Sequence, residues 1–443
     1  MKYPLLIIML CIASLAFAVD WGGTLENSTS IYTVENEYIT QGNNLTLWLS
    51  ADFSDLTYFN VQASIGYTLD YSLNFDLIYA ANLFAFQGDF PVLGESPFLL
   101  NLSLGRFTLT DFTGNVINHP VDGIEFGYSN SFMDARIAGG FTGFLFKKTS
   151  TVEMSIADKA DKGNDTVFLA APRIIGLLDV VFPELFLRQD ITLSALVQFD
   201  LRSEDDLIAA GETTWDPGRG GRLDSYYFGL GIAGPITTGL YYDAFFYFQT
   251  GNTLSYIDPE YRYTTILAFL AGGGFRWYIK EALGSKLSLG VIFASGDNDC
   301  TFILEGNTGS YANMFIPIST QTYGMVFAPQ IPNMFIVNLE YSFKPLSGLK
   351  NTVWENLQTL IRGTGFFRSS TGNISESGID LTSEALYLGT ELDIEAIFRP
   401  LSDMGLVLSV GAFLPYNIEG EGSFLEDSKA FEVLGRFEFC FNF

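Results

Sequence analysis

Apolar and polar side chains alternate with a period of two over residues 429–443, at the end of the chain. The apolar positions, interrupted only by Gly435, are Phe431, Val433, Phe437, Phe439, Phe441 and Phe443. The positions between them carry Glu432, Arg436, Glu438 and Asn442. Because successive side chains of a strand point to opposite faces, this segment predicts a transmembrane β-strand with one face toward lipid and one toward a wet lumen.

The same alternation recurs along the chain. Residues 59–69 place large apolar side chains at odd positions, and residues 386–398 set Glu391, Asp393 and Glu395 opposite Leu392 and Ile394. Such stretches predict an all-β fold, a transmembrane antiparallel β-barrel of about 18 strands, with 16 as the alternative count. They lie near residues 26–34, 44–53, 58–68, 72–84, 98–107, 121–128, 134–145, 165–175, 188–200, 222–232, 238–249, 262–278, 284–294, 333–343, 350–368, 384–398, 404–414 and 429–443.

The connections between these stretches alternate in length. Counted back from the C-terminus, the long ones are 415–428, 369–383, 295–332, 250–261, 201–221 and 146–163. The short ones are 399–403, 344–349, 279–283 and 233–237. This rhythm predicts short periplasmic turns, long extracellular loops and both ends of the barrel in the periplasm. Residues 85–97 break it, because they are long where a short turn is expected.

The first eighteen residues have the pattern of a cleaved signal peptide. Lys2 precedes an apolar run, and Ala16-Phe17-Ala18 forms an A-x-A cleavage site. After residue 18 there is no run of the ~18 apolar residues that a membrane helix needs. The sequence therefore predicts a signal peptide at 1–18 and a single barrel over 19–443.

Composition agrees with a barrel and narrows its chemistry. The 41 Phe, 22 Tyr and 5 Trp suit two aromatic girdles, and the 44 Gly suit many tight turns. A net charge of −27 argues against a nucleic-acid partner, which needs basic patches. Cys300 and Cys440 lie in different predicted elements, and one histidine with two cysteines cannot form a usual zinc site. We therefore predict no cofactor and no metal.

Strand parity assigns charged side chains to the lumen. The arginines with polar parity are Arg136, Arg188, Arg262, Arg276, Arg362, Arg368 and Arg436. The acids with the same parity are Asp190, Asp200, Asp243, Glu340, Glu391, Asp393, Glu395, Glu432 and Glu438. Arginine keeps its charge and matches carboxylate or phosphate groups, so these residues could filter an anionic solute. Alternatively, they pair with the inward acids and brace the wall.

Two other groups of residues could carry chemistry. The run Ala294-Ser295-Gly296-Asp297-Asn298-Asp299 offers oxygen ligands for Ca²⁺ but lacks the spacing of a calcium loop, so an ordinary solvated turn is the alternative. His119, the single histidine, is predicted in an outer loop near Asp111 and Asp122. No nucleophile or oxyanion site accompanies it, and we predict that the protein is not an enzyme.

Several short motifs resemble outer-membrane porins of the alginate-export type. They are L-G-R-F-T-L-T-D at 104–111, V-D-G-I-E-F-G-Y at 121–128, F-A-S-G-D-N-D at 293–299, L-G-T-E-L-D-I-E at 388–395 and V-G-A-F-L-P at 410–415. The resemblance implies an 18-stranded barrel with an arginine-rich constriction that passes an acidic polysaccharide. By similarity, Arg106, Arg136, Arg362 and Arg436 would lie at that constriction. This chain is more acidic and poorer in Lys and Arg than that family, which argues against alginate itself.

These observations lead to one preferred hypothesis and two alternatives. The preferred one is a porin in the outer membrane of a diderm bacterium, allowing passive diffusion of small hydrophilic solutes, anionic ones included. The alternatives are a transporter for fatty acids or other hydrophobic compounds, which needs an apolar lateral opening, and a surface adhesin with acidic loops. The expected partners are outer-membrane lipid, the small solutes, and the barrel assembly machinery, because the C-terminal strand resembles the sorting signal of such barrels.

Overall fold

The fold was analysed in a computed structural model that describes residues 18–33, 38–70, 74–91, 99–214, 216, 219–279, 282–300, 304, 307–309, 311–350, 352–417, 422–425 and 428–443. The predicted signal peptide lies outside the described residues except for Ala18. No helix in these ranges is long and apolar enough to cross a membrane.

The described chain consists almost entirely of strands. They are β1 (Ala18–Tyr32), β2 (Tyr38–Ser54), β3 (Thr57–Leu69), β4 (Phe75–Pro91), β5 (Leu99–Thr110), β6 (Asn118–Ser129), β7 (Asp134–Phe141), β8 (Arg173–Phe186), β9 (Gln189–Asp200), β10 (Asp224–Thr237), β11 (Leu240–Ile257), β12 (Glu260–Ile279), β13 (Ser285–Ala294), β14 (Tyr311–Ala312), β15 (Met334–Phe343), β16 (Gln358–Arg368), β17 (Tyr387–Leu401), β18 (Met404–Pro415) and β19 (Glu432–Asn442). One α-helix, α1 (Ile156–Gly163), begins at a capping box on Ser155. Short 3₁₀ turns occupy Lys147–Thr149, Glu204–Asp206 and Val353–Asn356.

The strands close into a barrel. Each long strand pairs antiparallel with its neighbours in sequence, and β1 pairs with β19 from Thr24–Asn442 to Tyr32–Leu434. The two-residue β14 lies in a loop and adds to β12 in parallel, so 18 of the described strands form the wall. Gly23 and Phe443 also exchange two backbone hydrogen bonds, of 2.9 and 3.0 Å. The predicted all-β antiparallel barrel of 18 strands is confirmed.

Long and short connections alternate over most of the barrel, with four differences from the sequence prediction. The strand predicted at 165–175 begins at Arg173 and runs to Phe186, because residues 142–172 form a loop containing α1. The loop predicted at 250–261 is a two-residue turn, since β11 and β12 extend to Ile257 and Glu260. The strand predicted at 350–368 begins at Gln358, after a 3₁₀ turn. The segment predicted as a long connection at 85–97 is shorter, because β4 continues to Pro91 and leaves 92–98, which lie outside the described residues, as the connection.

The two faces of the wall differ in chemistry. Large apolar side chains are exposed on the outside of the barrel, as in Leu104, Ile137, Leu392, Ile394 and Phe437. Burying such a belt requires an apolar solvent, and a lipid bilayer supplies it. The buried apolar cluster instead lies inside the barrel, where strand residues such as Tyr227 and Tyr247 pack with loop residues such as Phe315. The inside therefore contains loops as well as space.

The charged lumen and its inward loops

The longest described loop, within 295–333, folds into the barrel from the rim that carries the long loops. The side chain of Gln249 forms two hydrogen bonds with the backbone of Ile316. Its Oε1 accepts from the Ile316 N–H (2.9 Å), and its Nε2 donates to the Ile316 carbonyl (3.1 Å). Tyr227 Oη donates to the same carbonyl at 2.6 Å. These three contacts come from fully buried strand residues, so the loop is fixed to the inner wall.

Two further loops meet this one inside the barrel. Backbone N–H groups of Ile318 and Thr320 donate to the carbonyls of Val116 and Thr151, each at 2.8 Å. The 111–117 loop is held by the Asp111 carboxylate, which accepts from the N–H groups of Val116 and Ile117 at 2.9 and 2.8 Å. The three loops therefore form one packed layer that narrows the lumen.

Glu391 fixes the second half of the long loop. Its carboxylate accepts hydrogen bonds from the N–H groups of Met325, Val326 and Phe327 at 2.5, 3.1 and 2.7 Å. Asp393, two residues further along β17, is fully buried beside Glu391. Both side chains have the inward parity that the sequence predicts, but the loop covers them.

Three of the predicted inward arginines form ion pairs across neighbouring strands. Arg136 contacts Asp179 at 2.7 Å and Glu125 at 3.7 Å. Arg276 pairs with Asp243 at 2.9 Å. Arg362 pairs with Glu340 at 3.0 Å and lies 3.9 Å from Glu395, while Lys286 takes the other oxygen of Glu340 at 3.0 Å. Each guanidinium is thus shared with wall carboxylates.

Three predicted lumen arginines lie elsewhere. Arg188 sits in the two-residue turn between β8 and β9 with φ of 66°, because the strand begins only at Gln189. Arg262 is exposed near the turn between β11 and β12, at the end of the barrel opposite to Arg188. It lies 3.4 Å from Glu260, because β12 begins two residues before the predicted start. Arg368 is buried against the carbonyls of Thr371, Ser383 and Ala385.

Arg106 does not lie at the lumen constriction that the family resemblance implies. Strand alternation places it on the same face as Leu104, which is exposed on the outside of the wall. It forms a two-point ion pair with its outward neighbour Asp122, at 2.9 and 2.7 Å. The motif L-G-R-F does contain an arginine, as the resemblance implies. However, Arg106 lies two residues after Leu104, and strand alternation places both side chains on the outer face.

Residues of the closing strand keep their predicted parity. Arg436 Nε donates to Ser30 Oγ of β1 at 3.2 Å, and Glu432 contacts Lys429 at 3.3 Å. Glu438 lines a lumen cavity of about 680 Å³ between β1–β4 and β17–β19, together with Glu26 and Arg399. Within the described chain, these last three side chains form no ion pair with each other or with another residue.

A second cavity of about 600 Å³ lies between the 111–117 loop and the wall. Its charged lining residues are Asp243, Arg276 and Glu340, all of which are already paired. Asn115 and Ser288 add polar groups. The lumen therefore presents mixed charge and hydrogen-bonding groups rather than a row of one sign.

Sequence reasoning missed a buried ion network behind the 142–172 loop. Arg173 is fully buried and contacts Asp158 at 2.8 Å and Asp200 at 3.0 Å. Arg202 contacts Asp158 at 2.7 Å and Asp200 at 2.5 Å. Arg173 falls inside the strand predicted at 165–175, but its acidic partners come from α1 and β9. Spacing along the sequence could not bring these elements together.

The remaining candidates do not assemble a chemical site. His119 lies in β6 rather than in a loop; it is buried, with Nδ1 3.1 Å from Thr151 Oγ1 and Nε2 3.4 Å from Ser150 Oγ. Asp297 accepts from Asn313 N–H at 2.8 Å, and Asp299 accepts from Thr308 Oγ1 at 3.0 Å. No cluster of three acidic, histidine or cysteine side chains suited to a metal occurs within the described ranges.

A closed barrel of 18 antiparallel strands, with an apolar outer belt and a charged lumen narrowed by inward loops, is an outer-membrane β-barrel of the porin type. Residues 198–417 match the model of a family described as alginate export. No curated protein matches the sequence of the chain.

Solved structures of three Pseudomonas aeruginosa proteins are similar to this chain. OccK7 (OpdD) has a TM-score of 0.54 at 10% identity, over 96% of this chain and 99% of that chain. OccK5 (OpdH) has a TM-score of 0.52 at 12% identity, over 96% and 98%. OccK2 (OpdF), solved in complex with glucuronate, has the same values as OccK5. At such low identity, these similarities show the fold, and none of the matches indicates an enzyme family.

Proposed function

We propose that the protein is a channel for passive diffusion of small hydrophilic solutes across the outer membrane. The observation that carries this proposal is the cavity of about 680 Å³ in the lumen, where Glu26, Glu438 and Arg399 remain free of ion pairs among the described residues. A solute that sheds part of its hydration shell there meets charged and hydrogen-bonding groups. The packed loop layer limits the size of the solute.

The pattern of ion pairs supports a bracing role for most of the lumen arginines. Arg136, Arg276 and Arg362 are each within 3.0 Å of a wall carboxylate, so their charge is largely compensated before a solute arrives. Two carboxylates and one guanidinium that form no ion pair within the described part of the chain line the larger cavity. We therefore propose a weak preference for cations over anions, contrary to what the number of arginines suggests.

Glucuronate in OccK2 and the description of the matching family both involve uronic acids. An acidic polysaccharide would need a continuous row of free basic groups, and the contacts of Arg136, Arg276 and Arg362 leave none along the described inner wall. A small uronate remains compatible with Arg399 and Arg436. We therefore propose small solutes rather than polymers.

Planar-bilayer recordings test this proposal. We expect stable open steps and, in a salt gradient, a reversal potential on the cation side of zero. Liposome swelling with glucosamine, glucose and glucuronate, which share one size but differ in charge, should rank them in that order. Absence of open steps would contradict the proposed channel. A reversed ranking would contradict only the cation preference and would indicate a channel that selects anions.

A further inference from the structure

The barrel wall divides between β4 and β5. Their hydrogen-bonded ladder runs from Pro91–Leu99 up to Phe84–Arg106 and ends there. Beyond this fork, β4 continues to Phe75 paired only with β3, and β5 continues to Thr110 paired only with β6. The part of β4 that has no β5 partner is nine residues long, from Phe75 to Leu83. The fork therefore leaves a lateral gap in the half of the wall near the long loops.

Arg106 stands at the point of the fork. Besides its ion pair with Asp122, its Nη1 donates to the Ala81 carbonyl and its Nη2 to the Phe144 carbonyl, both at 3.1 Å. Ala81 belongs to the part of β4 that has no β5 partner. Arg106 thus joins the free strand edge, the neighbouring strand and the 142–172 loop at a single point.

A hairpin from the 142–172 loop covers the gap without filling it. Residues 145–147 pair with 168–170, through Ala170 N–H to the Leu145 carbonyl (2.9 Å) and Lys147 N–H to the Phe168 carbonyl (3.1 Å). The Phe146 ring stacks on Tyr79 of β4 with centroids 4.5 Å apart, and Lys148 pairs with Asp76. The hairpin is attached to the edge of β4 by side chains, whereas a strand would be attached by a backbone ladder.

The cavity at the fork, of about 360 Å³, is lined from both faces of the wall. Tyr79 and Arg106 have outward parity, whereas Ala80 and Asn82 face inward beside Ser64. Strand alternation normally separates the two faces completely. The cavity at the fork therefore has lining residues on both the membrane side and the lumen side of the wall.

The lining of this cavity is aromatic. Phe144, Phe146 and Phe168 of the hairpin contribute three rings beside Tyr79. Phe144 is 66% and Phe168 64% exposed, although both lie next to the apolar outer belt. Exposed aromatic groups are stable in contact with lipid, so this hairpin borders the outer leaflet. The volume lies at the lower end of the range for small-molecule pockets and is too small for a whole lipid.

We propose that this fork is a lateral portal that binds small apolar molecules carrying an aromatic ring and passes them between the outer leaflet and the lumen. The aromatic hairpin is its movable cover. Rings fit the lining by stacking, while Arg106 keeps the Ala81 carbonyl at the strand edge hydrogen-bonded as the cover shifts. This site is separate from the hydrophilic cavities, so it adds a second route to the proposed diffusion channel.

Binding is tested with N-phenyl-1-naphthylamine and the full chain in phosphatidylcholine nanodiscs, after subtracting the signal of empty nanodiscs. We expect saturable fluorescence from the unaltered protein and a loss of affinity of about tenfold or more in Ala81→Trp, which fills the cavity. The matched control is Ala396→Trp on the outward face of β17, where the ladder with β18 is intact; it should bind normally. Absence of a saturable signal, or equal affinity in both variants, would overturn the proposal.

The route across the wall needs a second measurement. In a Cys300→Ser, Cys440→Ser background, bimane is attached to Ala80→Cys beside the fork or to Ser28→Cys on the lumen face of β1. Brominated acyl chains should quench bimane at position 80 several-fold more than at position 28. Equal quenching at both positions would overturn a lateral route. Bilayer conductance of Ala81→Trp and Ala396→Trp should remain unchanged, which separates this result from any failure of the diffusion channel.

Discussion

Arginine has three different environments in this barrel, and its partners decide its role at the scale of the residue. Arg362 is shared between carboxylates on the wall, Arg368 binds loop carbonyls, and Arg436 has one weak contact with Ser30. Parity along the sequence predicts which face of the strand each occupies. It cannot predict the partner, because the partner comes from a neighbouring strand or from a loop that is distant in sequence.

Arg173 should be the arginine on which stability depends most. Arg173→Leu leaves the fully buried Asp200 and Asp158 with less compensation, and breaking a buried pair typically costs about 3–5 kcal/mol. We expect a lower urea midpoint in detergent micelles and faster proteolysis of the 142–172 loop. Arg262→Leu, which removes an exposed pair, is the control and should change stability by less than about 1 kcal/mol. Equal effects would contradict the role assigned to burial.

Glu391 should control how firmly the long loop is held. Glu391→Gln replaces one carboxylate oxygen by an NH₂ group, so either the N–H of Met325 or the N–H groups of Val326 and Phe327 lose their acceptor. Hydrogen bonds to charged groups contribute about 1.5–3 kcal/mol each, so the loop should detach more often. Single-channel recordings should show more frequent transitions between conductance levels. Glu395→Gln, on the same face of β17 but outside these contacts, should leave the transitions unchanged.

At the scale of the element, strand alternation predicted the wall well and the loops poorly. The eighth strand is the clearest error, because residues 168–170, inside the strand predicted at 165–175, pair with 145–147 in the covering hairpin. The pairing is real, but it lies outside the main wall. Outward apolar faces are imposed by lipid along the whole barrel, whereas loop contacts depend on three-dimensional proximity that a single sequence does not encode.

The start of the long loop should respond to pH. Burial, followed by a hydrogen bond with Asp299, raises the pKa of Asp297 to about 6. An unfolded aspartate titrates near about 3.9, so the packed loop binds the proton more tightly than a released loop does. The packed state therefore loses stability as pH rises from about 4 to about 6, and this loss is complete at higher pH.

Current recordings at about pH 4.5 and about pH 7.5 test that titration. Loop-dependent transitions should be more frequent at the higher pH, and Asp297→Asn should make their frequency nearly independent of pH. Asp299→Asn is a useful comparison, because it removes only the second cause of the shift. An unchanged pH dependence in Asp297→Asn would assign the effect to another group.

At the scale of the whole molecule, closure of the barrel depends on the apolar face of β19. Phe437 is 44% exposed on the outside, between the β1 and β18 ladders. Phe437→Arg should prevent assembly, since a cation on the lipid face near the middle of the bilayer costs about 2–4 kcal/mol. Heat-modifiable mobility on a denaturing gel measures this. Arg436→Ala, one residue away on the lumen face, should assemble normally and change only conductance.

The sequence specifies the barrel as a whole more completely than it specifies the site. Alternation over eighteen segments only requires each side chain to face either lipid or the lumen. The barrel closes because β1 and β19 each have a backbone edge to pair, and they pair with each other. The contacts inside the lumen cannot be predicted from strand alternation alone. Tyr227 and Gln249 lie on correctly predicted strands, but only folding of the 295–333 loop shows that they bind Ile316.

The packed layer formed by the inward loops also has an electrical consequence. In a conducting pore, an applied voltage falls mainly across the segment of highest resistance, and here that segment is the narrowed part beside the long loop. A charge that crosses the full field gains about 2.3 kcal/mol per 100 mV. Glu391 and the loop backbone that it binds lie in this concentrated field. The barrel should therefore respond to voltage through the contact between Glu391 and the loop backbone. The wider parts of the lumen should experience almost none of the applied field.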